Sequence, residues 1–343
     1  SMVRDSPVFA RAVTVLAILC FICSESIVYA GTISWTGNTS TAWATGTNWS
    51  GGSAPTNNTT TDIANFNLAA YGGNPVFSPN AGTTSVNGLT IGSSNGTMTL
   101  TTTSLTLGNS GISIANGAGA FTVGGVTLGA AQSWTNSSAN AANFVSVVAL
   151  GTNKLTLGGG DFSFGGSNTG TGGIDLNAGN LIATVAGAFG PAGNTLRFGG
   201  GNLELRNSAN TTFSGALNLS SASETITVNR AAAGAGVTHA IGGGVTFGTQ
   251  TLTMSAGTLN TTNTAYGLTL SGNKTFSAAN SNQTFTINGN GSGVGTLTLG
   301  TGSIDTGGFT QTLTFNNGTG TGANTASVSG AFTGSAGTLV FAG

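Results

Sequence analysis

The sequence has 343 residues, including 59 Gly, 58 Thr, 35 Asn and 35 Ser, so four residue types supply about 55 % of the chain. Charged residues make up 4 %, with Lys+Arg 7, Asp+Glu 8, one His and a net charge of −1, which excludes the basic footprint needed for nucleic acid or an anionic membrane. At 38 % hydrophobic the chain is also unlike a solvated disordered segment, and Gly and Thr disfavour helix while Thr, Val, Ile and Phe suit a pleated strand, so an all-β fold is predicted.

Residues 1–30 read as a secretory signal peptide. Arg4 and Arg11 give a positive start, Ala12 to Ile22 an apolar stretch, and Val28-Tyr29-Ala30 a small-residue cleavage site. The stretch is shorter than the roughly 20 apolar residues a membrane helix needs, and no later segment is long and apolar enough either. Both cysteines, Cys20 and Cys23, lie in this leader, so cleavage after Ala30 leaves a chain without disulfides.

Residues 31–84 differ in composition from the remainder of the chain. Three of the four Trp fall here, Trp35, Trp43 and Trp49, ahead of Pro55 and Asp62-Ile63-Ala64-Asn65-Phe66. Large rings at the start of a repetitive body are expected to seal its open end, since such arrays need a cap to stay soluble. The alternative is an aromatic platform on which sugar rings stack.

Residues 85–343 repeat one short phrase: an apolar residue, a small polar one, an apolar one, then Gly or Asn. Leu89-Thr90-Ile91-Gly92, Leu105-Thr106-Leu107-Gly108, Leu155-Thr156-Leu157-Gly158, Phe162-Ser163-Phe164-Gly165, Phe285-Thr286-Ile287 and Leu297-Thr298-Leu299-Gly300 are examples. Period two means strand, with apolar side chains on one face and hydroxyls on the other. Recurrence without helical interludes predicts a single-stranded parallel β-helix, with Gly or Asn supplying positive φ at the corners. Coils of about 20 to 25 residues would give about a dozen turns and a rod of about 55 to 60 Å. A β-sandwich, which prefers longer strands at steadier spacing, is the rival fold.

These motifs resemble those of the autotransporter-associated β-strand repeat proteins, large exported bacterial proteins whose passenger regions are expected to form β-helices. The N-terminal segment is similar to their W-x-G, second Trp, N-W, Pro and D-x-A-x-F pattern in Trp35, Trp43, Asn48-Trp49, Pro55 and Asp62 to Phe66. The body is similar to their repeat in Gly201-Asn202-Leu203-Glu204-Leu205, Asn210 to Gly215 and Ala216-Leu217-Asn218-Leu219. The resemblance implies an exported surface rod.

Chemistry is sparse. Polysaccharide lyases and hydrolases built on β-helices need clustered carboxylates for acid/base work or Ca²⁺. Of the acids after residue 30, Asp161 and Asp175 lie nearest each other in sequence, well within one coil, with Lys154 upstream. Gly159-Gly160-Asp161 and Gly172-Gly173-Ile174-Asp175 are similar to a Ca²⁺-binding repeat but lack its tandem arrangement. His239 has no Cys or second His to join it as a metal ligand, so no metal or other cofactor is expected. Thr-x-Thr recurs at Thr97 and Thr99, Thr251 and Thr253, Thr284 and Thr286, Thr296 and Thr298, and Thr312 and Thr314. A flat Thr ladder orders water in ice-binding solenoids, but the irregular spacing favours Thr as a plain outward strand residue.

The sequence therefore predicts an exported, non-enzymatic structural or adhesive protein of the cell surface or matrix. Its expected partners are itself or a surface polysaccharide. A net charge near zero favours self-association, and an uncapped last strand around Leu339, Val340 and Phe341 predicts end-to-end stacking into filaments. The alternatives are a polysaccharide-binding adhesin passenger using Trp35, Trp43 and Trp49 and, less favoured, a polysaccharide lyase or hydrolase or an ice-binding solenoid.

Overall fold

The structure, a computed structural model, describes residues 31–69, 76–219, 223–333 and 337–343. The expected signal peptide lies outside the described residues. The described residues are all-β apart from two short 3₁₀ turns, Gly46–Asn48 and Ser50–Gly52, and they wind as a three-faced parallel β-helix.

A first face runs without interruption from Gly31–Ser34 and Asp62–Phe66 through Leu155–Gly159 and Ile174–Leu176 to Phe332–Thr333, thirteen levels in all, every pairing parallel. A second face runs from Val76–Phe77 to Thr338–Ala342. The third is built from Val126–Leu128 and Val148–Ala149, and later from Thr212–Phe213 through Tyr266–Leu270 to Thr325–Val328. At about 4.8 Å per level the described coils form a rod of about 60 Å. The expected junction near residue 85 falls inside the strand Asn80–Ile91, so the Trp-rich segment and the repeats share one ladder.

The alternating phrase sets the packing. In Leu155-Thr156-Leu157 and Phe162-Ser163-Phe164 the outer residues are buried and the middle one half-exposed. Inward residues then stack on their equivalents one level away: Leu155 on Ile174 on Leu196 on Leu217, and Phe162 on Leu181 on Leu203 on Ile226 on Met254. Rings bridge the faces, as where Trp134 lies parallel to Phe144 with centroids 4.5 Å apart. Each fully buried aliphatic or Phe side chain contributes roughly 1.5–3 kcal/mol.

Coil length changes along the rod. First-face equivalents are 19 to 22 residues apart from Leu155 to Leu217, then 28 to 30 apart from Leu217 through Val245, Lys274 and Ile304 to Phe332. The extra residues widen the third face, where Thr169 makes a single bridge but Thr238–Ile241, Tyr266–Leu270 and Gly295–Leu299 are full strands. The expected 20 to 25 residues therefore describe the coils between Asp62 and Leu217, apart from one of 19, whereas the first coil, Gly31 to Asp62, takes 31.

The corners divide the work of Gly and Asn differently from expectation. Among the described residues positive φ belongs to Gly, with Asn263 and Asn280 the sole exceptions. Gly159 has φ 94° and Gly179 φ 72°, and a Cβ on Gly179 would sit 1.8 Å from the Gly159 carbonyl oxygen one coil below. Asparagines instead brace successive coils. Asn194 accepts from the Gly173 N–H and donates to the Phe189 carbonyl, and Asn136 donates to the carbonyls of Asn140 and Asp161.

Because each coil touches only its neighbours, damage is expected to stay local. Leu176→Ala should cost about 2–5 kcal/mol, and hydrogen exchange should show lost protection in the coils around Leu157 and Phe198 while the strands beyond Val245 keep theirs. Uniform loss along the rod would contradict this.

Candidate functional site

Trp35, Trp43 and Trp49 close the N-terminal end of the helix. Their indoles are 3 %, 3 % and 2 % exposed. Trp49 sits edge-on to Trp35 at 4.8 Å and to Trp43 at 4.7 Å, and all three rings surround Phe66. Trp49 Nε1 donates to the Trp43 carbonyl at 2.6 Å. Buried Asn48 organises the loop above them, accepting from the Thr39 and Ser40 N–H groups and donating to the Ala42 carbonyl. The expectation that these rings offer stacking faces to a polysaccharide is therefore not met, since burial leaves no ring face open. The arrangement is the one an end cap requires.

The candidate acids are not brought together. Asp175 lies outward on the first face in a ladder of ions across successive coils. Arg197 Nε is 3.0 Å from its Oδ1, and Arg197 Nη2 and Lys154 Nζ are 2.9 and 3.2 Å from its Oδ2. Hydrogen bonds from Arg197, ahead of the effect of burial, and then from Lys154 hold its carboxyl below the usual carboxylate range. Asp161 stands at the corner before Phe162 and accepts from the Asn180 amide at 2.8 Å. Asp175 is thus engaged as a structural anion, and the two acids have different partners, Lys154 and Arg197 for Asp175 and Asn180 for Asp161.

Three ionisable residues occupy inward positions that sequence reading did not single out or read as surface. His239 is fully buried in the third face, edge-on to Phe213 at 5.5 Å. Thr211 N–H donates to its Nδ1 and its Nε2–H donates to the Asn229 carbonyl, so the ring is neutral, and burial pushes its pKa below the ordinary 6.5. In sequence a lone His in Gly236-Val237-Thr238-His239-Ala240 reads as a turn or strand-surface residue, but the structure turns the ring inward, where it replaces a core side chain and stacks on Leu268. Lys274 stands between Val245 and Ile304 in the first-face stack, and its ammonium donates to the carbonyls of Gly300 and Gly302 at 3.0 and 3.3 Å. Burial lowers its pKa to about 8. Glu224 stacks on Leu252, both carboxyl oxygens are buried without a partner, and desolvation raises its pKa to about 8. Alternation marks all three as inward in retrospect: Glu224-Thr225-Ile226, His239-Ala240-Ile241 and Lys274-Thr275-Phe276 each place the charge where an apolar residue belongs.

At the far end Thr338–Ala342 adds to Thr310–Asn317 in register, pairing Leu339 with Gln311, Val340 with Thr312 and Phe341 with Leu313. Leu339 is partly buried, while Val340 and Phe341 are 40 % and 51 % exposed and Phe341 stacks on Phe315. The two ends are unlike. The outer edge of Gly31–Ser34 is met by the cap loop, through Ser34 N–H to Ser50 Oγ and the Trp35–Trp49 bridge. Gly31 and Thr32 at the start of that strand are exposed.

The Thr-x-Thr pairs do align. On the second face Thr225, Thr253 and Thr286 form one column, and Thr251, Thr284 and Thr314 the next. On the third face Thr296 and Thr298 lie beside Thr325 and Ser327, whose hydroxyls donate to them at 3.2 Å. Spacing looks irregular in sequence because corner loops vary in length while strand register does not.

Comparison with known proteins finds no matching family model, curated protein or solved structure. Among the described residues no helix is long and apolar enough to cross a membrane, and no three His, Cys, Asp or Glu gather as a metal site.

Glu224 is protonated in the folded state up to about pH 8 but ionises near 4.5 when unfolded, so its contribution is full below 4.5 and is lost as pH rises to 8. Denaturant unfolding should show that decline, and Glu224→Gln should flatten it; His239, with its lowered pKa, acts oppositely, costing stability as pH falls below 6.5. Trp49→Ala should cost about 3–5 kcal/mol yet leave retention on insoluble polysaccharides unchanged.

Proposed function

We propose that the chain is an exported structural or adhesive element of the cell surface or matrix, similar in kind to the passenger rods of autotransporter-associated β-strand repeat proteins. The observation that supports it most is the single uninterrupted ladder of thirteen first-face levels, with one core and outward rows rich in Thr, Ser and Asn. In such a body the main-chain hydrogen bonds run along the axis, so pulling on the rod loads many bonds at once. Outward hydroxyls and amides keep it wetted with little charge, and weak charge repulsion lets neighbouring rods approach.

Copies meet through the sides of the rod, or end to end at the strand edge of Leu339, Val340 and Phe341, where Val340 and Phe341 are exposed. The leader-like residues 1–30 supply the route out of the cell.

Expression of the full chain in a bacterial host tests the proposal. Fractionation should place it outside the inner membrane with residues 1–30 removed, and electron microscopy should show rods, single or side by side. Retention in the cytosol with the leader intact, or release of reducing ends from a polysaccharide panel by the purified rod, would overturn it.

A further inference from the structure

The aligned hydroxyls of the second face carry an inference that does not depend on export or adhesion. We infer that the outward second face between residues 225 and 314 is an ice-binding surface, its ligand being solid water. Three properties coincide there.

The first is order. Thr225, Thr253 and Thr286 stand in one column and Thr251, Thr284 and Thr314 in the neighbouring one, without a register shift across four coils. Strand geometry spaces rows by about 4.8 Å and columns by about 6.7 Å, a near-rectangular grid comparable in scale with the oxygen repeat on a prism face of ice.

The second is availability. The hydroxyls of Thr225, Thr251, Thr253, Thr284 and Thr286 have no partner within the protein among the described residues, and Thr314 alone donates, to Asn282 Oδ1 at 2.9 Å. On the third face the comparable hydroxyls are spent on each other, Thr325 to Thr296 and Ser327 to Thr298. Free hydroxyls anchor water, and the Thr methyls between them restrict the orientations of the waters they touch.

The third is neutrality. The first face carries Lys154, Asp175, Arg197 and Asp305, and the second is bordered by the Glu204–Arg206 pair, but the six threonines and their outward neighbours Ser255 and Asn282 bear no charge. Charges organise water radially and disturb a lattice. No aromatic ring lies in these outward rows, so they offer no stacking platform for sugar rings.

Ice-affinity partition of the full chain tests the assignment. The purified protein should concentrate in a slowly grown ice phase and slow recrystallisation. Thr253→Tyr with Thr286→Tyr should abolish both while the thermal midpoint is kept, and Thr298→Tyr on the third face should leave both intact. If the tyrosine variant does not fold, ice grown with fluorescently labelled wild type should still show labelled crystal planes. Exclusion of the wild type from ice overturns the inference. So does undiminished partition of a folded double variant, or loss in that variant of self-association or cellulose binding where ice retention was absent.

Discussion

Stacking of each inward side chain on its equivalent one coil away is the interaction on which the rest of the structure depends. A coil of about 20 residues cannot bury its own apolar face, and it becomes stable only as one level in a pile. This is why inward positions are dominated by Leu, Ile, Val and Phe, why Trp134 and Phe144 lie parallel between faces, and why the pile needs a lid. The indole cluster around Phe66 is that lid. Burying three of the largest side chains in one place closes a cross-section that no strand covers.

The same rule explains the cost carried by Glu224, His239 and Lys274. Each replaces an apolar member of a stack. Lys274 and His239 recover part of the loss by hydrogen bonding to main-chain carbonyls, whereas Glu224 has no partner and stays protonated instead. Their pKa values move in the directions that favour the neutral form. Ionisation in this protein is therefore tied to the integrity of the coils from residue 224 to 302, the region where coil length has risen to 28 to 30 residues.

Outward surfaces obey a different logic, because nothing presses on them. Their chemistry is set by which residue types suit a strand and by register. A common inward ladder forces outward residues into straight columns as well, so Thr residues that look scattered come into rank. On one face they pair among themselves and on another they face solvent unpaired. The first face shows that rank also works for ions, since Lys154, Asp175 and Arg197 meet across successive coils although 21 and 22 residues of chain separate neighbours.

Much of this was legible in the residues alone. The alternation of Leu-Thr-Leu and Phe-Ser-Phe specifies strands and their buried side, since period two admits no other reading, and their density specifies a coil rather than a sandwich. The function of Trp35, Trp43 and Trp49 as a seal was favoured on the same ground, that a repeating body has exposed ends. Tertiary structure alone decided which levels are neighbours, because corner loops differ in length and local pattern carries no information about register. That is why the longer coils after Leu217, the inward placement of His239, the separation of Asp161 from Asp175 and the columns of Thr on the second face emerge only when the coils are laid on one another.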